Sequence, residues 1–229
     1  MTTKLDKFII GENIDLCIPT REFARNSDWY KLFNNTKTTR FLEQGALPNT
    51  PEEQEDFFVS QKGKRLTLII QMKDGQFKGV ISLSFLDFNK KTCDIALVTD
   101  LSVMPGVRLA ALEAMALITQ HGFENMGMLR ISAGQHTLLN KWQQRLELIG
   151  YKLEGLHKNK FKKGHESADA VSICCYYKDY LKLCENRGKL WDGKMQERIE
   201  NLPADSLKDK MVSFFENERE EYYNNIFNL

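Results

Sequence analysis

Three features of the chain could do chemistry, and they fall close together. Asp94 opens a short apolar run, Asp94-Ile95-Ala96-Leu97-Val98, so a carboxylate is delivered at the start of a strand. A Pro105-Gly106 break precedes Val107-Arg108-Leu109-Ala110-Ala111, which leads into a run of strong helix formers. Backbone N–H groups at such a helix start point outward and can hold phosphate, and Arg108 could add a charge. His136 falls in the loop after a second short strand, 129–132, and an unperturbed imidazole titrates close to neutral pH. The set is suited to proton transfer beside a bound anion. Plainer readings stand beside it: Asp94 as an exposed strand-edge carboxylate, His136 as a solvated loop residue. His121, His157 and His165 read as surface or structural residues.

These residues need a scaffold, and residues 91–155 supply its pattern. A short strand, a break, a long amphipathic helix, a strand, a helix at about 138–149 and the phrase Gly150-Tyr151-Lys152-Leu153-Glu154-Gly155 follow in order. That is a βαβ-type signature, which implies neighbouring parallel strands. The helix over 110–123 is expected to bury Leu109, Leu112, Ala116, Leu117 and Phe123. Upstream, residues 14–18 read as a strand and 22–33 as a partial helical stripe. Thr50-Pro51-Glu52-Glu53 is a helix start with a capping box; that helix should run to about Gln61 and bury Phe57 and Phe58. Runs 66–71 and 77–85, joined by a Lys73-Asp74-Gly75 turn, feed the strand 92–99 as an antiparallel meander. Runs 151–161 and 169–177 close the sheet around a turn at 162–165. The expected class is α+β: a mixed, mostly antiparallel twisted sheet flanked by helices.

Beyond Lys182 the texture changes. Two amphipathic helices, 194–202 and 204–224, are expected, the second with a stripe of Leu207, Met211, Phe214 and Phe215. Two adjacent phenylalanines on such a stripe must be covered, so the tail should dock on its own domain, with dimerisation through it second. The expected organisation is a domain over 1–183 and a helical extension over 184–229, in a monomer or homodimer.

Composition narrows the class. The chain has 229 residues and a formal net charge of +1, without a basic block, which argues against a dedicated nucleic-acid or membrane-surface protein. Its five cysteines show no C-x-x-C spacing and are odd in number, so neither a zinc site nor a disulfide framework is expected. No apolar run is long enough to span a bilayer, and MTTKLDKFII lacks the form of a signal peptide. A cytoplasmic protein with reduced thiols and no metal is the expectation.

The order of elements resembles the acyl-CoA binding half of the GCN5-related N-acetyltransferase superfamily, in particular its RimJ/RimL-like branch. The likeness rests on Asp94-Ile95-Ala96-Leu97, Glu113-Ala114, Gly122-Phe123, Leu129-Arg130-Ile131, Asn140, Gly150-Tyr151-Lys152-Leu153-Glu154-Gly155 and Asp169-Ala170-Val171, and covers roughly residues 13–182. It implies that the first strand splays from its parallel neighbour and that acetyl-CoA, or another acyl-CoA, lies in the gap. Leu97, Val98 and Thr99 would then follow the pantetheine, and Val107, Arg108, Leu109, Ala110 and Ala111 the pyrophosphate. Asn140 would bond the pantetheine or the 132–135 loop, with helix capping as the rival role. Asp94 is the implied base, and His136 would lie near the thioester. The superfamily's phosphate loop usually carries a glycine where Leu109 stands, and residues 138–149 hold no tyrosine to act as general acid.

The segment with Trp29, Tyr30, Phe33, Asn34, Asn35, Arg40 and Glu43 looks like the acceptor side of amino-sugar acetyltransferases of surface-glycan pathways. Trp29, Asn34, Arg40 and Glu43 are its candidate contacts; an amphipathic helix with core aromatics is the plainer reading. The implied activity is N-acylation of a small-molecule amine acceptor, foremost an amino sugar on a nucleotide, then a protein N-terminus or a polyamine. The alternative is a catalytically silent binding or assembly module with a degenerate CoA site.

Overall fold

The structure, a computed structural model, describes residues 5–99 and 107–229, without the side chains of Val107 and Arg108. The hairpin β1 (Lys7–Ile10) and β2 (Ile14–Cys17) is followed by α1 (Arg21–Asn26), α2 (Trp29–Asn34), α3 (Thr36–Thr39) and α4 (Pro51–Ser60). The meander β3 (Leu66–Met72), β4 (Phe77–Asp87) and β5 (Thr92–Thr99) leads to α5 (Val107–Glu124), β6 (Arg130–His136), α6 (Asn140–Glu147), β7 (Lys152–Lys163) and β8 (Glu166–Tyr176). Four helices end the chain: α7 (Tyr177–Arg187), α8 (Met195–Glu200), α9 (Leu207–Glu216) and α10 (Glu218–Phe227). The strands form one sheet in the order β1-β2-β3-β4-β5-β6-β8-β7. Among the described residues only β5 and β6 pair in parallel; every other pairing is antiparallel, as the α+β expectation required.

Two apolar cores lie on opposite faces. The larger sits under α5, where Leu112, Met115 and Ile118 pack on Ile81, Leu83, Ile95 and Ile131. The smaller joins Trp29, Phe23 and Leu32 to Ile69 and Val80. β5 serves both, because alternate side chains of a strand point to opposite faces: Leu97 packs on the first core and Val98 on the second. α5 also carries a polar side chain inside. Glu113 is fully buried, and its carboxylate accepts N–H groups from the β1–β2 turn: Glu12 N, Asn13 N at 3.1 Å and Asn13 Nδ2 at 3.0 Å. A Cβ on Gly11 would stand 2.5 Å from that carboxylate, so the turn can close on α5 only with glycine there.

Local chemistry explains where the elements depart from expectation. The capping box forms at Thr50 and Glu53, but Phe57 stays 40% exposed; neighbouring helix residues diverge by about 100°, so only Phe58 turns inward. The stripe over 22–33 breaks at Ser27, whose extended backbone and hydroxyl, accepting Trp29 N–H at 3.2 Å, start a second helix. The helix expected over 204–224 breaks at Asn217, whose side chain bonds back to Ser213 O at 2.9 Å. α7 was not foreseen, although Gly188, in the left-handed region with φ 80°, is the cap that ends it.

The tail docks. Leu190, Trp191 and Met195 belong to the larger core, with Met211, Val212 and Phe215 packed against it. The docked stripe of α9 differs from the expected one: Leu207 and Phe214 remain about half exposed, because the face turned inward carries Met211, Val212 and Phe215. Trp191 is 7% exposed, so Trp191→Ala should remove about 3–5 kcal/mol of stability in urea unfolding. Truncation after Leu183 should destabilise further. A loss under about 1 kcal/mol would show the tail to be loosely attached.

Candidate active site

The central feature is a fork between β5 and β6. They pair at Thr92–Arg130, Cys93–Ile131 and Asp94–Ser132, and then separate. β5 continues along β4 to the pair Thr99–Gly79, while β6 continues along β8 to the pair His136–Ala170. Each strand keeps its outer partner, so the facing edges beyond Asp94 and Ser132 leave main-chain groups without a ladder. Gly79 holds β5 on the β4 side: a Cβ there would meet Val98 O at 2.3 Å and Thr99 Cα at 2.9 Å.

Asp94 stands at the last rung before the fork. Its side chain shares a face with Ser132, its cross-strand partner, and with Arg130. Arg130 donates to Ser132 Oγ at 2.6 Å and to Glu154 Oε2 at 2.6 Å, and the Tyr176 hydroxyl donates to Glu154 Oε1. Asp94 is exposed, yet the strands around it desolvate the carboxyl and push its pKa above the ordinary value, with Arg130 pulling the other way. A carboxylate so placed is a better base than a fully solvated one. The adjacent thiols are not nucleophiles at neutral pH: burial pushes Cys93 up to about 12 and Cys174 up to about 11.

His136 is not in a loop. It ends β6, 8% exposed, between the rings of Phe41 at 5.1 Å and Phe161 at 4.8 Å. Its Nδ1 accepts the Leu138 N–H at 3.1 Å, so the neutral ring carries its proton on Nε2. Neither nitrogen is then free to take a proton, and Nε2–H can only donate a hydrogen bond. Burial lowers its pKa; Arg40 acts in the same direction, and Glu166 and Asp169 oppose. This imidazole is a wall and a donor rather than a base.

The expected acceptor segment does reach this end of β6, through Arg40 and Phe41. The Arg40 guanidinium lies over the Phe41 ring at 5.1 Å, and the segment is tied to β7 by Lys163, which donates to Thr39 O, Leu42 O at 3.1 Å and Gln44 O at 3.0 Å. Glu43 is exposed on the same segment. Trp29 is 1% exposed inside the smaller core, and Asn34 clasps the Asn49 backbone with two bonds of 2.7 Å. These two position the segment and do not line it.

On the other side of the fork, α5 begins at Val107; residues 100–106, including the Pro105-Gly106 break, and the side chains of Val107 and Arg108 lie outside the described residues. Leu109 and Ala110 pack on the larger core and Ala111 is buried, so these three residues offer an anion main-chain N–H groups rather than side chains. Asn140 opens α6 and donates from Nδ2 to Asp209 of α9 at 2.8 Å, while its Oδ1 is buried without a partner. Gln135, on the separated part of β6, has a buried Nε2 that is equally unpartnered. Sequence reasoning missed Gln135, since nothing local marks a side chain whose partner is absent.

No family model and no curated protein matches the sequence. Solved structures do match. A GCN5-related N-acetyltransferase from Brucella melitensis aligns over 87% of this chain and 96% of its own, with TM-score 0.65 and 16% identity. An acetyltransferase of the GNAT family from Bacillus anthracis aligns over 74% and 98%, with TM-score 0.61 and 19% identity. The chain has the GCN5-related N-acetyltransferase fold. Spermidine N-acetyltransferase from Vibrio cholerae, solved with CoA and spermine, shares the acetyltransferase fold at TM-score 0.66 and 13% identity, over 74% of this chain and 98% of its own. Among the described residues no His, Cys, Asp and Glu group is arranged to hold a metal, and no helix is long and apolar enough to cross a membrane.

The depressed His136 pKa sets a pH dependence. At pH above about 6.5 the ring is neutral in both folded and unfolded chains; below it the unfolded chain takes a proton that the folded chain resists. Stability should therefore fall as pH drops from about 6.5 toward the lowered folded value. His121, also lowered by burial, contributes in the same direction. His136→Gln should flatten that slope in urea midpoints measured from about pH 7.5 to 5. An unchanged slope would mean the ring is hydrated.

Proposed function

We propose that the protein is an acyl-CoA-dependent N-acyltransferase that acetylates a small primary amine. The observation that carries this reading is the fork: a parallel pair that ends after three rungs, inside an acetyltransferase fold, with unpaired main chain along both arms. The residues present fit a pantetheine arm. Its amides offer N–H and C=O groups; the fork supplies an unpartnered donor, Gln135 Nε2, and the open edge at Leu97, Val98 and Thr99, and the start of α6 an unpartnered acceptor, Asn140 Oδ1. Residues 107–111 would hold the pyrophosphate on main-chain N–H groups, so Leu109 need not abolish the site.

The bound acyl-CoA supplies an activated thioester. The chain's own part is to position the amine and take its proton, and Asp94 is the group for it, accessible, raised in pKa and standing at the fork. Its carboxylate receives the amine proton as the N–C bond forms and the C–S bond breaks. The leaving thiolate is a weak base and can depart without an assigned acid. His136 Nε2–H and the Arg40 guanidinium lie at the acceptor end. In this reading residues 1–183 are the acyltransferase unit and 184–229 its extension.

The acceptor we favour is an amino sugar on a nucleotide. Arg40 has no carboxylate partner among the described residues, which suits a phosphate-bearing acceptor better than a polycation. A polyamine is the second choice, motivated by the spermidine N-acetyltransferase that shares the fold.

Calorimetric titration with acetyl-CoA should show one saturable site, and ligand at about a hundredfold over its dissociation constant should add about 2.7 kcal/mol of stability. Asp94→Asn should leave that binding intact and lower kcat by about 10²–10⁴-fold. Turnover of a nucleotide amino sugar, set against spermidine, separates the acceptors. Absence of acetyl-CoA binding would leave the silent-module reading.

A further inference from the structure

We infer that the C-terminal extension is a working part of the donor site: Asp209 of α9 holds Asn140 by its amide nitrogen, so that the amide oxygen is presented to an N–H of the acyl donor's pantetheine arm. This rests on the acyl-CoA reading above and adds a residue from outside the acyltransferase unit.

The contact joins residues 69 apart, Asn140 Nδ2 donating to Asp209 Oδ2 at 2.8 Å. Asn140 is the first residue of α6, four positions beyond the end of β6, the strand that forms one arm of the fork. A side-chain amide has one donor end and one acceptor end, and at most sites its orientation is free to flip. Here it is not, because the carboxylate can accept only from the nitrogen. The oxygen is thereby fixed as the remaining face of the group, and it is buried with nothing bonded to it. A buried acceptor without a donor is costly, and it is most simply accounted for when the donor arrives with a ligand.

The Asp209 side chain is half exposed but held by several bonds. Ser206, 1% exposed, donates to Asp209 Oδ2 at 2.6 Å and accepts its backbone N–H at 3.1 Å; Lys208 pairs with Oδ1 at 2.6 Å. These bonds, Lys208 first, hold the carboxyl at about 2, so it is charged at any working pH. α6 has no side-chain cap of its own at Leu139, and an anion beside its first turn is favoured by the helix dipole. Gln144 Nε2 reaches Pro203 O at 2.9 Å, which fixes the chain just ahead of α9. The extension is thus fastened to α6 at two points, Pro203 and Asp209. Asp209 touches no substrate in this account. It is a positioning residue that acts through Asn140.

The test compares acetyl-CoA with adenosine 3′,5′-bisphosphate, the nucleotide end of CoA without the pantetheine arm, in calorimetric titrations of the full chain. Asp209→Ala should raise the acetyl-CoA dissociation constant about tenfold or more while leaving the bisphosphate within about twofold. In turnover, KM for acetyl-CoA should rise with kcat little changed. The exchange Asn140→Asp with Asp209→Asn rebuilds the pair with its polarity reversed and still leaves an acceptor oxygen free. It should recover acetyl-CoA binding to within about threefold of the parent. Ser206→Ala, which loosens Asp209 without removing it, should show a smaller rise in the same sense, and it serves if Asp209→Ala folds poorly. An unchanged acetyl-CoA constant in these variants, or equal weakening of both ligands, would overturn the inference and leave Asp209 a fastening of the tail. A parent protein that binds neither ligand would instead remove the acyl-CoA reading, and this inference with it.

Discussion

Everything functional here depends on β5 being held to β4 more completely than to β6. The β4–β5 ladder runs to Thr99, where the absence of a side chain at Gly79 lets the two backbones close, and the β6–β8 ladder runs to His136. With both strands committed outward, the single parallel pair must end early, and it ends at Asp94 and Ser132. Unpaired main-chain groups inside a sheet are costly unless something completes them. The fork is therefore a place where the fold leaves part of its hydrogen bonding to another molecule, with a carboxylate at its apex.

The two cores fix the arms of that fork. α5, tied to the β1–β2 turn through buried Glu113, packs Leu112, Met115 and Ile118 into the larger core with Ile95 of β5 and Ile131 of β6. The smaller core, centred on Trp29, braces β5 from the opposite face through Val98. The segment after α3 is clasped by Lys163 from the β7–β8 hairpin, which sets Phe41 and Arg40 beside His136. The tail closes the remaining side: Trp191 and Met195 enter the larger core, and α9 reaches the start of α6. A chain with this arrangement cannot lose its extension without disturbing both the core and Asn140.

Much of this was legible in the sequence. Strand–helix alternation, the Thr50–Glu53 capping box and the Lys73-Asp74-Gly75 turn are local signals, and the elements they mark are present. The parallel pair and its splay followed from the order of elements and the family likeness. The misses share a cause: they depend on groups distant in the chain. His136 reads as a loop residue until β8 pairs with it through Ala170. Trp29 reads either as an acceptor contact or as a core aromatic, and its place in the smaller core selects the second. Asn140 reads as a pantetheine contact, a partner of the 132–135 loop or a helix cap, and nothing in the sequence marks Asp209, 69 residues on, which takes its nitrogen. Gln135 carries no sequence signal, because an unpartnered buried amide is defined by what surrounds it.

The most direct measurement is amide hydrogen exchange of the full chain with and without saturating acetyl-CoA, read peptide by peptide. If the fork is the donor site, acetyl-CoA should slow exchange along residues 95–99 and 133–136, where the strands have no inner partner. Residues 92–94 and 130–132, already paired with each other, should change little. Protection confined to other parts of the chain, or none at all at saturating ligand, would contradict the account.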